Sequence, residues 1–179
     1  MPHPPEIFET PTLTLRRVRV GDCDAILEAY GADPAVTRYL VWRPYSADAQ
    51  DQLNDFLVGL EARWDSGSEY AWVIAPSGEQ RAIGMLAARR QGHKVDVGYV
   101  LARSYWGQGL MTEAMQALVA WCFANGVVRV WATCDLDNTA SARVLEKCGF
   151  AREGILRAWL VHPNVSDEPR DCYAYALVK

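Results

Sequence analysis

Lysine is scarce in this 179-residue chain, occurring only at positions 94, 147 and 179, and the formal net charge is −4. Arginine carries most of the positive charge, so there is no lysine-rich tail to grip a phosphate backbone, and neither nucleic acid nor an anionic membrane is expected as a partner. Histidine is as sparse: His3 lies in a Pro-rich start, His93 in a turn and His162 in a late loop. That scatter argues against a metal site and against a Ser-His-Asp hydrolase. The cysteines at 23, 122, 134, 148 and 172 form no C-x-x-C pair and sit mostly inside apolar runs. They read as reduced, buried thiols, which suits the cytoplasm better than an oxidising compartment. No apolar run reaches the length of a membrane span, and MPHPPEIFE lacks the basic-then-apolar plan of a secretory signal. Dense acidic runs, internal repeats and low-complexity linkers are missing too.

What is present is one good core. Half of the residues are apolar, enough at this length for one well-buried domain and too little for two. The expected organisation is a single domain over residues 1–179, with 1–9 flexible. TLTLRRV, residues 12–18, alternates like an edge strand, and Asp22 is placed to cap a helix running to Tyr30. Ser46 can cap a second helix, whose Leu53, Phe56, Leu57, Leu60 and Trp64 recur at the spacing of one buried face. Three strand-like runs follow, Tyr70 to Ala75, Ala82 to Ala88 and Val95 to Leu101, joined by turns that suit an antiparallel meander. Strand, helices, meander, then a strand-helix-strand-helix unit and final strands predict a mixed α/β sheet with helices on both faces.

The chemistry is concentrated in VDVGYVLARSYWGQGLMT, residues 95–112, where an apolar strand leads through Gly107-Gln108-Gly109 into a helix. Its apolar face is Met111, Ala114, Met115, Leu118, Val119 and Cys122, and Asn125-Gly126 ends it. Glycines let the backbone turn tightly and approach a ligand, and the first free amides of the helix converge on one point with the positive end of its dipole behind them. A phosphate-bearing group suits such a turn. A dinucleotide-binding unit imitates it, with Asp135 as the ribose-binding acid, but Thr112 stands where the third small residue belongs and Ala102 to Trp106 separates strand from glycine. No Gly-Lys-Ser/Thr follows, so a nucleoside-triphosphate loop is excluded.

Downstream, a second apolar strand, Val127 to Thr133, precedes Asn138-Thr139-Ala140-Ser141-Ala142-Arg143-Val144-Leu145-Glu146-Lys147-Cys148-Gly149-Phe150. The pair strand-xxGxG-helix and strand-N-x-x-S-x-x-x-x-E-K-x-G-F resembles the GNAT superfamily of acyl-CoA N-acyltransferases, most closely its ribosomal-protein alanine/serine N-acetyltransferase (RimJ/RimL-like) branch. LTLR at 13–16, DPAV at 33–36, Gly98-Tyr99 and RDCY at 170–173 are similar to that branch as well.

The resemblance implies acetyl-CoA as co-substrate, with the backbone amides of Trp106, Gly107, Gln108, Gly109 and Leu110 around its pyrophosphate. It implies a middle strand splayed at a bulge that Gly98 permits, with free backbone groups at Tyr99, Val100 and Leu101 for the pantetheine and the thioester carbonyl. It implies Asn138 on the pantetheine and Ser141 on the departing sulfur. The chain departs from the superfamily at Ser104, where Gln or Arg is usual, and at Leu145, where many members have tyrosine. No metal is implied.

Transfer to nitrogen requires a neutral amine. At pH 7 that costs about 1.4 kcal/mol for an α-amine and about 4.6 kcal/mol for a lysine, so an N-terminal substrate needs little help from a base. Asp96 and Glu69, each on a strand leading to the acetyl site, are the carboxylates able to accept the proton. Solvated strand-end charges are the plainer alternative for both, a helix-start hydroxyl bonded to its own backbone is the alternative for Ser141, and a buried apolar thiol is the plainer account of Cys134 than an acyl-cysteine. Residues 39–45 and 160–166 are the expected acceptor-facing segments. The acceptor is read as a protein or peptide N-terminal α-amine; a small amine (polyamine, aminoglycoside or amino-acid-like) and a catalytically silent acyl-CoA-binding module are the alternatives, and a homodimer is compatible with the aromatic content.

Overall fold

The computed structural model describes residues 2–46 and 49–179. Eight strands form one sheet: β1 (Ile7–Glu9), β2 (Leu13–Arg17), β3 (Glu69–Pro76), β4 (Gly84–Gln91), β5 (Lys94–Leu101), β6 (Arg129–Asp135), β7 (Ala151–Leu160) and β8 (Arg170–Val178). Their spatial order is β1-β2-β3-β4-β5-β6-β8-β7. Every neighbouring pair is antiparallel except β5–β6, which is parallel and joined by the crossover helix α4 (Leu110–Ala124).

The helices α1 (Cys23–Ile26), α2 (Pro34–Thr37), α3 (Gln50–Ser66) and α5 (Thr139–Lys147) complete the layers. Period-two alternation in β3 divides the core: Tyr70, Trp72 and Ile74 pack with Met111, Met115 and Leu118 of α4, while Ala71 and Val73 pack with Leu53, Leu57 and Leu60 of α3. Both faces of the central strand are thereby covered, which is why residues 70–75 are all buried. Among the described residues no helix is long and apolar enough to cross a membrane.

Three expectations are corrected. The segment 12–18 is not an edge: β1 pairs outside it, Ile7 to Glu9 against Thr14 to Arg16, so the expected flexible start contributes the edge strand. The Trp72 indole fastens that start by donating to the Pro5 carbonyl at 3.0 Å. Asp22 does not cap an α-helix with its side chain. Its carboxylate is drawn instead to Arg16, at 2.5 and 3.0 Å, and accepts from the Arg19 amide at 2.8 Å, so the chain passes through a 3-10 turn, one α turn and a π turn, Leu27–Gly31. Finally, α3 begins at Gln50 with Ala49 at its cap position, four residues after Ser46; residues 47 and 48 lie outside the described part.

β5 and β6 pair only at Lys94–Asp96 with Arg129–Trp131. Beyond that point β5 continues against β4 alone and β6 against β8 alone, so the two parallel strands diverge. The divergence needs no bulge, since β5 keeps unbroken register with β4 from Lys94 to Leu101.

Gly84 holds that β4–β5 ladder close: a Cβ built there would lie 2.6 Å from the Val100 carbonyl oxygen and 3.0 Å from Leu101 Cδ1. Gly84→Ala is expected to destabilise the fold by about 1–3 kcal/mol through overpacking against backbone, measured as a lower denaturant midpoint with an unchanged slope.

Candidate active site

The turn that leaves β5 is a short 3-10 segment, Arg103–Tyr105, followed by the two glycines and α4. Gly107 and Gly109 have φ of 75° and 81°, and a built Cβ at either meets nothing within 4 Å. The space over them is open, and residues 106–109 are exposed. Among the described residues no acceptor takes the amides of Gly107, Gln108, Gly109 or Leu110, so four donors in the turn and at the head of a four-turn helix are left without a partner. Trp106 is used differently. Its amide donates to the Arg103 carbonyl at 3.2 Å and its indole to the Leu101 carbonyl at 2.7 Å, which ties the turn back to the end of β5. Ser104 contributes its carbonyl, which accepts from Gln108 Nε2 at 3.0 Å. The dinucleotide alternative fails at Asp135, which is 1% exposed and engaged by Arg170 at 2.5 and 3.0 Å, leaving no acid for a ribose.

Along the diverging part of β5, backbone groups alternate in direction. The Ala102 amide donates to the Ile83 carbonyl, which sets the phase: Val100 and Gly98 turn their groups to β4, and Tyr99 and Leu101 turn theirs into the gap beside β6. Val100 therefore offers no free backbone there, and its side chain packs on the α1/α3 side. Gly98 keeps an ordinary extended conformation. Its missing Cβ makes room for the Arg89 guanidinium, which would approach a built Cβ to 3.2 Å.

Across the gap, Asn138 caps α5 by accepting from the Ser141 amide at 3.1 Å. Ser141 Oγ lies 2.8 Å from the Tyr99 hydroxyl, which also donates to the Ser141 carbonyl at 3.2 Å. Leu145, one turn further on, is fully buried in the core and cannot face a ligand. Cys134, at the end of β6, adjoins Ser141; burial pushes its thiol up to about 11, against a smaller opposing effect of the Ser141 hydrogen bond. A thiol held that high is protonated near neutral pH and is not poised as a nucleophile.

On the other face of the sheet, register places Glu69, Arg89 and Asp96 side by side on three strands. Arg89 donates to Asp96 at 2.6 Å and to Glu69 at 3.0 Å, and Arg63 of α3 pairs with the second Glu69 oxygen at 2.8 Å. Burial raises the Asp96 pKa and Arg89 pulls it back only in part, so the carboxyl stays above its ordinary value.

The two segments expected to face an acceptor do meet. Asn164 Nδ2 donates to the carbonyls of Thr37 and Trp42, at 2.7 and 2.8 Å, Arg43 pairs with Asp167 at 3.1 Å, and Tyr39 stands edge-on to His162. His162 is no surface-loop residue: it is 3% exposed, with Nε2 3.7 Å from both Asp135 and Cys172. Burial alone would raise the Asp135 pKa, but Arg170 and the Asp137 amide outweigh it and hold the carboxyl below its ordinary value. Neither the Asn164 clamp nor the Arg170–Asp135 pair has a local sequence signal, because the residues of each are more than thirty positions apart.

This combination, a parallel pair that opens beside a glycine turn and a capped helix, defines an acyl-CoA-dependent transferase fold. Residues 12–151 match the acetyltransferase (GNAT) domain family, and the chain belongs to it. It is an acetyl-CoA-dependent N-acetyltransferase. An uncharacterized N-acetyltransferase, p20 of Bacillus licheniformis, is 28% identical over 181 residues, covering 97% of each chain. The ribosomal-protein-serine acetyltransferase of Escherichia coli is 32% identical over 92 residues, 49% of this chain and 51% of its own. Among solved structures, Mycobacterium smegmatis RimJ in complex with CoA-disulfide superposes with a TM-score of 0.84 at 26% identity, covering 96% of this chain and 86% of that one.

Because nothing in the protein crowds Gly107, Gly107→Val is expected to fold, with a stability loss of about 1–3 kcal/mol from the positive φ. Its side chain would occupy the space over the free amides, so the rise in melting temperature that CoA gives the unaltered protein should vanish; a retained rise of equal size would place CoA elsewhere.

Proposed function

We propose that the acceptor is the α-amine of a protein or peptide N-terminus. The observation that carries this reading is the state of the carboxylates around the gap: Glu69 is held by Arg63 and Arg89, Asp96 by Arg89, and Asp135 by Arg170. With all three already paired, only Asp96 is assigned to meet an ammonium, and no set of carboxylates remains for the several positive charges of a polyamine or an aminoglycoside. The segments assigned to the acceptor instead offer aromatic rings, Tyr39, Trp42 and Tyr45, and the main-chain clamp at Asn164. Likeness to a ribosomal-protein-serine acetyltransferase over half the chain supports the same class.

Acetyl-CoA supplies the acetyl group as an activated thioester. The amides of Gly107 to Leu110 fit its pyrophosphate as hydrogen-bond donors at a helix N-terminus, and Asn138 Nδ2, with Oδ1 already used as the cap, is free for the pantetheine. A backbone N–H of Tyr99 or Leu101 is placed to bind the carbonyl oxygen as it becomes an oxyanion, a contribution of roughly 3 kcal/mol from a preorganised donor. Ser141 solvates the sulfur as the C–S bond breaks. Asp96 takes the ammonium proton; its raised pKa brings it nearer to that of the amine, while Glu69, shared by two arginines, acts on Asp96 through Arg89. One domain over residues 1–179, acting in the cytoplasm, completes the reading.

The test is a thiol-release assay with acetyl-CoA against Ser- and Ala-initiated peptides, polyamines and aminoglycosides. Turnover on the peptides is expected; turnover confined to small amines would replace the acceptor assignment, and CoA-induced stabilisation without turnover on any of them would favour a binding module. Asp96→Asn should lower kcat about 10²-fold at pH 7. The deficit should shrink as pH rises through about 8, where an α-amine loses its proton unaided.

A further inference from the structure

Ser141 is an odd helix-start serine in that, among the described residues, its hydroxyl makes no bond to its own helix backbone. It turns across the gap to Tyr99, whose hydroxyl lies 2.8 Å from Ser141 Oγ and also donates to the Ser141 carbonyl at 3.2 Å. We propose that Tyr99 is a positioning residue for acetyl transfer, its hydroxyl held against both the carbonyl and the Oγ of Ser141 so that the serine is fixed beside the departing sulfur. The inference rests on the reading of Ser141 given above and deepens it.

A hydroxyl has one hydrogen and two lone pairs. The Tyr99 hydroxyl meets Ser141 twice, donating to its carbonyl at 3.2 Å and standing 2.8 Å from its Oγ, so backbone and side chain of the serine are both held from β5. Tyr99 is suited to a fixed donor's part. Burial drives its phenol well above the ordinary tyrosine value, with the Ser141 bond opposing that rise only in part, so the proton stays on oxygen at any working pH. Tyr99 therefore donates a hydrogen bond and transfers no proton. It comes from the strand whose backbone faces the acetyl end of the site, so strand and helix are locked in one relation by the bond that orients the serine. Leu145, buried on α5, leaves that helix without a phenol of its own.

The experiment is a double-mutant cycle. Tyr99→Phe should lower kcat about 10-fold while CoA still raises the melting temperature as in the unaltered protein and the acetyl-CoA KM stays within twofold. Ser141→Ala should lower kcat by at least as much, and the Tyr99→Phe/Ser141→Ala double variant should be no slower than Ser141→Ala alone. Full turnover in Ser141→Ala would remove the serine reading and this inference with it. Losses that multiply in the double variant would leave the serine reading intact and overturn the coupling to Tyr99. p-Aminophenylalanine at position 99 keeps a donor at the ring's tip without an acidic hydroxyl. Recovery of most of the kcat lost in Tyr99→Phe is expected; failure to recover would mean that the hydroxyl does something other than donate.

Discussion

The three-residue pairing between β5 and β6 is the constraint on which the rest depends. Parallel strands that stayed in register would satisfy each other's backbone along their whole length and leave nothing for a ligand. Here the ladder stops at Asp96 and Trp131, and each strand is kept straight by its other neighbour, β4 or β8. The gap therefore costs only a few backbone hydrogen bonds while its walls remain built into a continuous sheet. The glycine turn at the end of β5, the cap of α5 and the end of β6 all open onto it, so a single departure from regular pairing assembles the site.

Charge is managed with equal economy. Glu69, Arg89 and Asp96 stand opposite one another on adjacent strands, where cross-strand pairs interact most strongly. Two carboxylates around one guanidinium, with Arg63 as a second cation, keep this half-buried end of the sheet close to neutral. On the far side Asp135 and Arg170 do the same. The gap is thus bordered by ion pairs that are already complete, and what remains for ligands is backbone, hydroxyls and rings.

Much of this could be read from the residues. The α4 core face is the set picked out by spacing, Met111, Ala114, Met115, Leu118, Val119 and Cys122, because a helix writes its burial into a 3.6-residue period. The meander and the glycine turn were legible for the same reason: their signals are local. Errors fell where distant residues decide. Asp22 has the pattern of a cap, but Arg16 from β2 claims its carboxylate. The Pro-rich start has no periodicity, yet Trp72 and the open edge of β2 give it a strand's place. Gly98 suggested a bulge and instead makes space for an arginine on another strand. Tyr99 was expected to act through its backbone alone, since no spacing rule joins it to a serine forty-two residues away.

Asn164 has a consequence for how this protein can change over time. It fastens the late loop to the stretch after α2 through the carbonyls of Thr37 and Trp42, atoms that every residue type possesses. Between them, Tyr39 adds an edge-on contact to His162 of the late loop, while Arg38, Leu40 and Val41 take no part in that fastening. They can be replaced without loosening that fastening, so the surface there can vary by mutation while the frame that carries it keeps its shape.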